Sequence, residues 1–301
     1  MDDAWHLFRG EGGARLVFDG GSHVVESLGV PNGTVAYANA FANTTEMTLT
    51  NGAVLSTTKF VLGLRPNKTA RLTLHGSGTR LETREEARFT NGAGISTVDV
   101  LDGAELRLLG ASHFVMNKGT NVTHVVNARV SAPCDSTVVS IGRTSGAQSA
   151  AASCAVFAAT NAAVDVAGTL VLDHVAKAVA AGGDTRWCLN KLTLGSSQID
   201  GTCPALTVAG GTVSVTNAGD GLVLGQNGAA AVVVADGVFS VAKYATVGNG
   251  SASSGTLTVS GGIYSNAFPN AITYLAKSHA NATGALNVSG GAARLSNLYV
   301  G

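Results

Sequence analysis

Between Thr246 and Gly262 the chain reads TVGNGSASSGTLTVSGG. Leu257 and Val259 alternate with the hydroxyls of Thr258 and Ser260, which is the period of a strand with one face buried and the other solvated. The Gly261-Gly262 pair that follows admits positive φ and predicts a sharp turn. The same phrase returns as LVFDGG ending at Gly21, MTLTNG at Gly52, VDVLDG at Gly103, LTVAGG at Gly211, VVVADG at Gly237 and LNVSGG at Gly291. Weaker copies are LTLHGS at Leu72, VDVAGT at Val164 and LTLGSS at Leu192. A second phrase trails many copies: KFVLG at Gly63, TVVSIG at Gly142, DGLVLG at Gly225, YATVG at Gly248 and NLYVG at Gly301.

Successive first phrases close at Gly211, Gly237, Gly262 and Gly291, a nearly constant interval. Short alternating segments at that interval, with glycine corners and no helical period, predict an all-β fold: a single-stranded parallel β-helix, or β-solenoid, of about 25 residues per rung. A rung of three short strands cannot bury its own Leu and Val. Stacked rungs share one apolar column and pair each backbone group with the rung above or below. At about 4.8 Å per rung, a chain of 301 residues predicts about twelve rungs and a rod about 55 to 60 Å long.

Composition fits this organisation. Glycine supplies 39 of 301 residues, proline only 5, and charged residues 13%, about half the usual share. The formal net charge is zero, so the electrostatic footprint of nucleic-acid binding or of an anionic membrane is missing. No apolar run reaches the eighteen or so residues of a membrane-spanning helix. The opening MDDAWHLFRG lacks the basic and apolar segments of a secretory signal, while the composition looks extracellular. The chain therefore reads as one continuous solenoid segment of a longer protein. Residues 1–13 are an irregular start, 111–161 are irregular rungs with an insertion, and 204–301 carry the most regular repeats.

Candidate chemistry is sparse. Glu82, Glu85 and Glu86 precede Asp99, Asp102 and Glu105 by about one rung, with Arg80, Arg84, Arg88 and Arg107 nearby. Paired carboxylates at that spacing suit acid and base work on a glycosidic bond, which makes a polysaccharide lyase or hydrolase the alternative reading. The alternating signs of TRLETREEARF equally describe a solvated, self-paired face. The four cysteines, Cys134, Cys154, Cys188 and Cys203, show no zinc-binding spacing. They are read either as two local disulfides, Cys134 to Cys154 and Cys188 to Cys203, or as four free thiols packed like small apolar residues. Tyr274 and Tyr299, one repeat interval apart, form a contact strip if they share an outer face, or simply cover a strand. No phosphate-binding, dinucleotide-binding or catalytic-serine motif occurs, and no cofactor or metal is expected.

The phrases GTLTVSGGIYS and TGALNVSGGAARLSNLYVG, joined by VGNGSASSG, resemble the repeats of bacterial autotransporter-type passengers and of the type V secretion and PEP-CTERM-associated repeat surface proteins. The resemblance implies a right-handed, pectin-lyase-like β-helix, export to the cell surface and an adhesive or display role, with host or environmental glycans or proteins as partners. It carries no catalytic residues. The expectation is a non-enzymatic, surface-exposed or secreted scaffold.

Overall fold

A computed structural model of the protein describes residues 14–25, 44–62, 69–89, 94–110, 113–116, 119–142, 154–196, 202–277 and 279–301. Among these residues there is no helix, and the strands join one continuous hydrogen-bonded sheet in which every pairing is parallel. The chain is a β-solenoid, and each strand pairs with its counterpart about one coil later.

Three columns of strands make up the coil. The first stacks Leu16, Met47, Leu72, Val98, Thr123, Phe157, Ala178, Leu206, Val232, Leu257 and Leu286 in register, eleven positions in all. The second, beyond the glycine corner, stacks His23, Leu55, Leu81, Leu106, Val130, Val164, Trp187, Val213, Phe239, Tyr264 and Ala293. The third runs Phe60, Ala87, Phe114, Val139, Leu170, Leu192, Leu222, Ala245, Thr273 and Leu298.

Coils therefore number eleven among the described residues rather than twelve, because several take more chain than the regular repeat interval. The longest first-column step runs from Thr123 to Phe157, well beyond the step from Leu206 to Val232. That step lies within the segment expected to be irregular. Ten steps of about 4.8 Å give a stack about 48 Å tall.

Alternation holds along the strands. In Ala205–Val215, Leu206 and Val208 are buried while Ala205 and Thr207 are less so. The inward side chains merge into a single core running through the coils. Interior volume is balanced between the columns of a coil. Where the first column thins to Ala176, Ala178 and Ala180, Trp187 of the same coil is wholly buried and meets Phe157 edge-on at 5.6 Å between ring centres. A large buried aromatic thus sits in the coil whose first column presents only alanines.

Two weak copies of the first phrase belong to other columns. Val164 sits in the second and Leu192 in the third. The first-column strand of the Leu192 coil is Ala176–Ala181. Its all-alanine inner face lacks the Leu and Val that mark the phrase elsewhere. All five second phrases lie on the third column.

Most corners between the first and second columns use a left-handed residue, but the Gly261-Gly262 corner does not. Those glycines have no positive φ, and their lack of a Cβ instead admits the backbone of the coil below. An added carbon there would fall 2.2 Å from the Ala235 carbonyl oxygen and 2.6 Å from that of Gly237. Gly211 at φ +65° supplies the left-handed residue in one coil, while Asn127 at +49° and Asn161 at +47° supply it in others. Asn and Asp tolerate this region better than other residues with a Cβ.

Candidate functional surfaces

The carboxylates singled out in the sequence spread over two faces and a corner. Glu82 and Glu105 lie on the outer side of the second column, diagonal to each other because Arg80 pairs with Glu105 and Glu82 with Arg107. Asp99 lies on the first column, between Thr73 and His124. Asp102 is the left-handed corner residue between the columns, with φ +52°.

Cations or hydroxyls of the same or neighbouring coils engage each of these four. Glu82 forms an ion pair with Arg80, whose Nε is 2.7 Å away but not aligned to donate, and accepts hydrogen bonds from Arg107 Nη1 at 3.3 Å and the Ser56 hydroxyl at 3.0 Å. Glu105 accepts the Ser131 hydroxyl and lies 4.0 Å from Arg129 Nε, while Arg129 Nη2 reaches Asp165 at 2.8 Å. Asp99, nearly buried, accepts two hydrogen bonds from Arg71, at 3.0 and 2.7 Å, and faces His124 Nδ1 at 3.0 Å. Asp102 faces His75 Nε2 at 3.2 Å. Arg84 and Glu85 are exposed at the next corner, and the side chains of Glu86 and Arg88 lie outside the described residues.

Glycoside hydrolysis uses two carboxyl groups that face a common substrate, one acting as acid and the other as base or nucleophile. Here Glu82 and Glu105 share one outer face, Asp99 and Asp102 lie away from it, and all four engage neighbouring Arg, His or Ser side chains. The arrangement is a charge ladder that ties coil to coil. Among the described residues no group of three His, Cys, Asp or Glu side chains is placed to hold a metal ion.

The four cysteines are free. Each expected disulfide spans less chain than a full coil, so its partners sit on different sides rather than one above the other. Cys188 lies on the second column between Asp165 and Ser214, whereas Cys203 precedes the first-column strand Ala205–Val215. Cys134 follows the second-column strand Arg129–Ala132, whereas Cys154 begins a first-column strand. Hydrogen bonding to Ser136, whose hydroxyl is 3.0 Å away, lowers the Cys134 thiol below its usual pKa. Burial raises that of Cys203.

Tyr274 and Tyr299 stand directly in register on adjacent third-column strands, with ring centres 5.6 Å apart and planes 34° from parallel. Tyr244, opposite Ile272 and so two positions off that register, places its ring 6.3 Å from that of Tyr274. Lys277 Nζ lies 4.6 Å from the centre of the Tyr274 ring, and Lys243 Nζ 5.5 Å from that of Tyr244, within cation–π range.

Tyr264 belongs to the same quarter of the sequence but points inward. Its hydroxyl meets Thr273 Oγ1 at 3.1 Å, Thr273 donates to Asn266 Oδ1 at 3.0 Å, and Asn266 Nδ2 donates to the carbonyls of Val241 and Lys243. The repeat phrases do not announce this buried network. Its signal is the pair of polar residues, Asn266 and Thr273, at inward positions of their strands.

No helix among the described residues is long and apolar enough to cross a membrane. No protein family model, curated protein or solved structure matches the chain.

Proposed function

We propose that this β-solenoid is a non-enzymatic segment of a secreted or surface-exposed protein, a rigid passenger or adhesin scaffold whose outer faces meet glycans or proteins of the surroundings. The observation that supports this reading is the closure of the outward charges on one another. Glu82, Asp99, Glu105 and Asp165 each hold a cation or hydroxyl from an adjacent coil. Such a surface is preorganised to stay as it is, which suits a spacer.

The test is incubation of the purified protein with polygalacturonate, alginate, xylan and chondroitin, following new reducing ends and unsaturated uronate. Neither is expected to accumulate above the level of a heat-denatured control. Product formation that disappears in the Glu82→Gln or Glu105→Gln variant overturns the proposal and establishes a polysaccharide-active enzyme instead.

A further inference from the structure

We propose that Tyr274 and Tyr299 form an oxidative cross-linking site, at which a one-electron oxidant joins the two rings into a dityrosine that staples adjacent coils together. The inference does not depend on the scaffold reading above.

Its basis is the register. Parallel pairing sets Tyr274 opposite Tyr299, so the two side chains leave the sheet side by side, about one strand spacing apart. Their ring centres are 5.6 Å apart and tilted by only 34°. Both rings lie on the outer side of their strands, opposite the inward Thr273 and its register partner Leu298, which leaves them open to an oxidant in solution. Lys277 packs against the Tyr274 ring and is itself held 3.5 Å from Asp220, which restricts where that ring can turn. Holding two reactants in contact makes the coupling effectively unimolecular.

The reaction needs a peroxide and a haem peroxidase, or another one-electron oxidant of that class. Each phenol loses one electron and its hydroxyl proton to the oxidant, giving two phenoxyl radicals. Their ortho carbons combine to form one carbon–carbon bond, and the hydrogen on each of those carbons moves to the oxygen of its own ring as aromaticity returns. One hydrogen peroxide is reduced to two waters for each link formed.

Two neighbours serve as internal comparisons. Tyr244 is farther from Tyr274, at 6.3 Å with planes at 57°. Tyr264 is wholly buried, with its hydroxyl against Thr273. The expected selectivity is therefore Tyr274 with Tyr299, with Tyr264 untouched.

The experiment treats the folded full chain with hydrogen peroxide and a haem peroxidase, follows dityrosine fluorescence, and maps tryptic peptides by mass spectrometry. Trypsin cuts after Lys243, Lys277 and Arg294, so Tyr244, Tyr264 and Tyr274 fall in peptide 244–277 and Tyr299 in peptide 295–301. The expected product is these two peptides joined with the loss of two hydrogen atoms, in monomeric protein, with a yield unchanged by dilution. Tyr299→Phe, a conservative change at an exposed position, should abolish the joined peptide. Unfolding in urea before oxidation should reduce its yield several-fold. Cross-links found only between molecules, a link within 244–277 in place of the expected one, no dityrosine at all, or an undiminished yield from the unfolded chain would each overturn the proposal.

Discussion

The Tyr264 hydroxyl lies 3.1 Å from Thr273 Oγ1, so a polar contact crosses the interior from the second column to the third. Burial pushes the Tyr264 phenol up to about 12, with the Thr273 hydrogen bond acting in the opposite direction. The folded state thus favours the neutral phenol. Its contribution to stability is fully present below the unfolded value of about 10 and is lost as pH rises from there toward 12, in total about 2 to 3 kcal/mol. Urea midpoints measured across this range should fall more steeply for the native protein than for Tyr264→Phe, which has no group to ionise. Equal slopes would show that Tyr264 is not held neutral by the fold.

Corner glycines should differ in cost according to what lies beside them. A Cβ on Gly52 would meet nothing within 4 Å, so Gly52→Ala should cost only the left-handed conformation, about 1 to 2 kcal/mol. At Gly211, also left-handed, the added carbon would fall 2.1 Å from the Thr185 carbonyl oxygen one coil below. Gly211→Ala forces the backbones apart and should cost more than about 3 kcal/mol. Chemical denaturation of the two variants side by side gives the comparison.

Leu257 and Thr258 are neighbours on opposite sides of one strand. Leu257 is fully buried between Val232 and Leu286, whereas Thr258 faces outward. Leu257→Ala should lower stability by about 2 to 5 kcal/mol through lost burial and a cavity. Thr258→Ala should change it by no more than about 0.5 kcal/mol. Similar losses from both would contradict the alternation on which the coil rests.

Position within the charge ladder should matter in the same way. Asp99 is 8% exposed at its side chain and carries Arg71 and His124, so Asp99→Ala strands their hydrogen bonds and should cost about 1 to 3 kcal/mol. The Arg15–Glu46 pair is 3.2 Å apart, with side chains 69% and 43% exposed. Glu46→Gln should therefore cost less than about 1 kcal/mol, and that small effect should shrink further in high salt.

All four thiols should alkylate in the folded protein without prior reduction, since none is paired. Cys134, lowered by its Ser136 hydrogen bonds, should react ahead of Cys203, whose thiol is raised by burial. Time-resolved peptide mapping orders them. A mass gain on reduction would reveal a disulfide instead.

Much of this architecture was legible where glycine and Leu or Val recur together. The strands before Gly52, Gly103, Gly211, Gly237, Gly262 and Gly291 fall on the first column as the spacing predicts. Legibility failed where a different residue does the same physical work. Asn127 and Asn161 turn the chain without glycine at the left-handed position, so the coils through Thr123 and Phe157 carried no phrase. The coil through Ala178 was hidden because its first column presents only alanines, and its large buried aromatic, Trp187, stands on another column. The self-paired charges of Arg80, Glu82 and Arg107 were half legible. Alternating signs announce pairing, but whether a carboxylate pairs within its strand or across to the next coil depends on register, and register is set by the stack. The cysteine spacing left disulfides and free thiols equally open, because only the stack shows that a loop shorter than a coil returns to a different side.

Every sheet pairing in the described chain joins residues about one coil apart, as Leu206 joins Val232. A separation of about 26 residues in a chain of 301 amounts to a relative contact order of about 0.09, a value more typical of helical bundles than of sheet proteins. Loop closure at that distance costs little, and the cost does not grow as the stack lengthens. Assembly can begin wherever two coils first meet and then advance by accretion, each finished layer serving as the template for the next. An entirely parallel sheet thereby escapes the slow long-range search that parallel topology usually imposes.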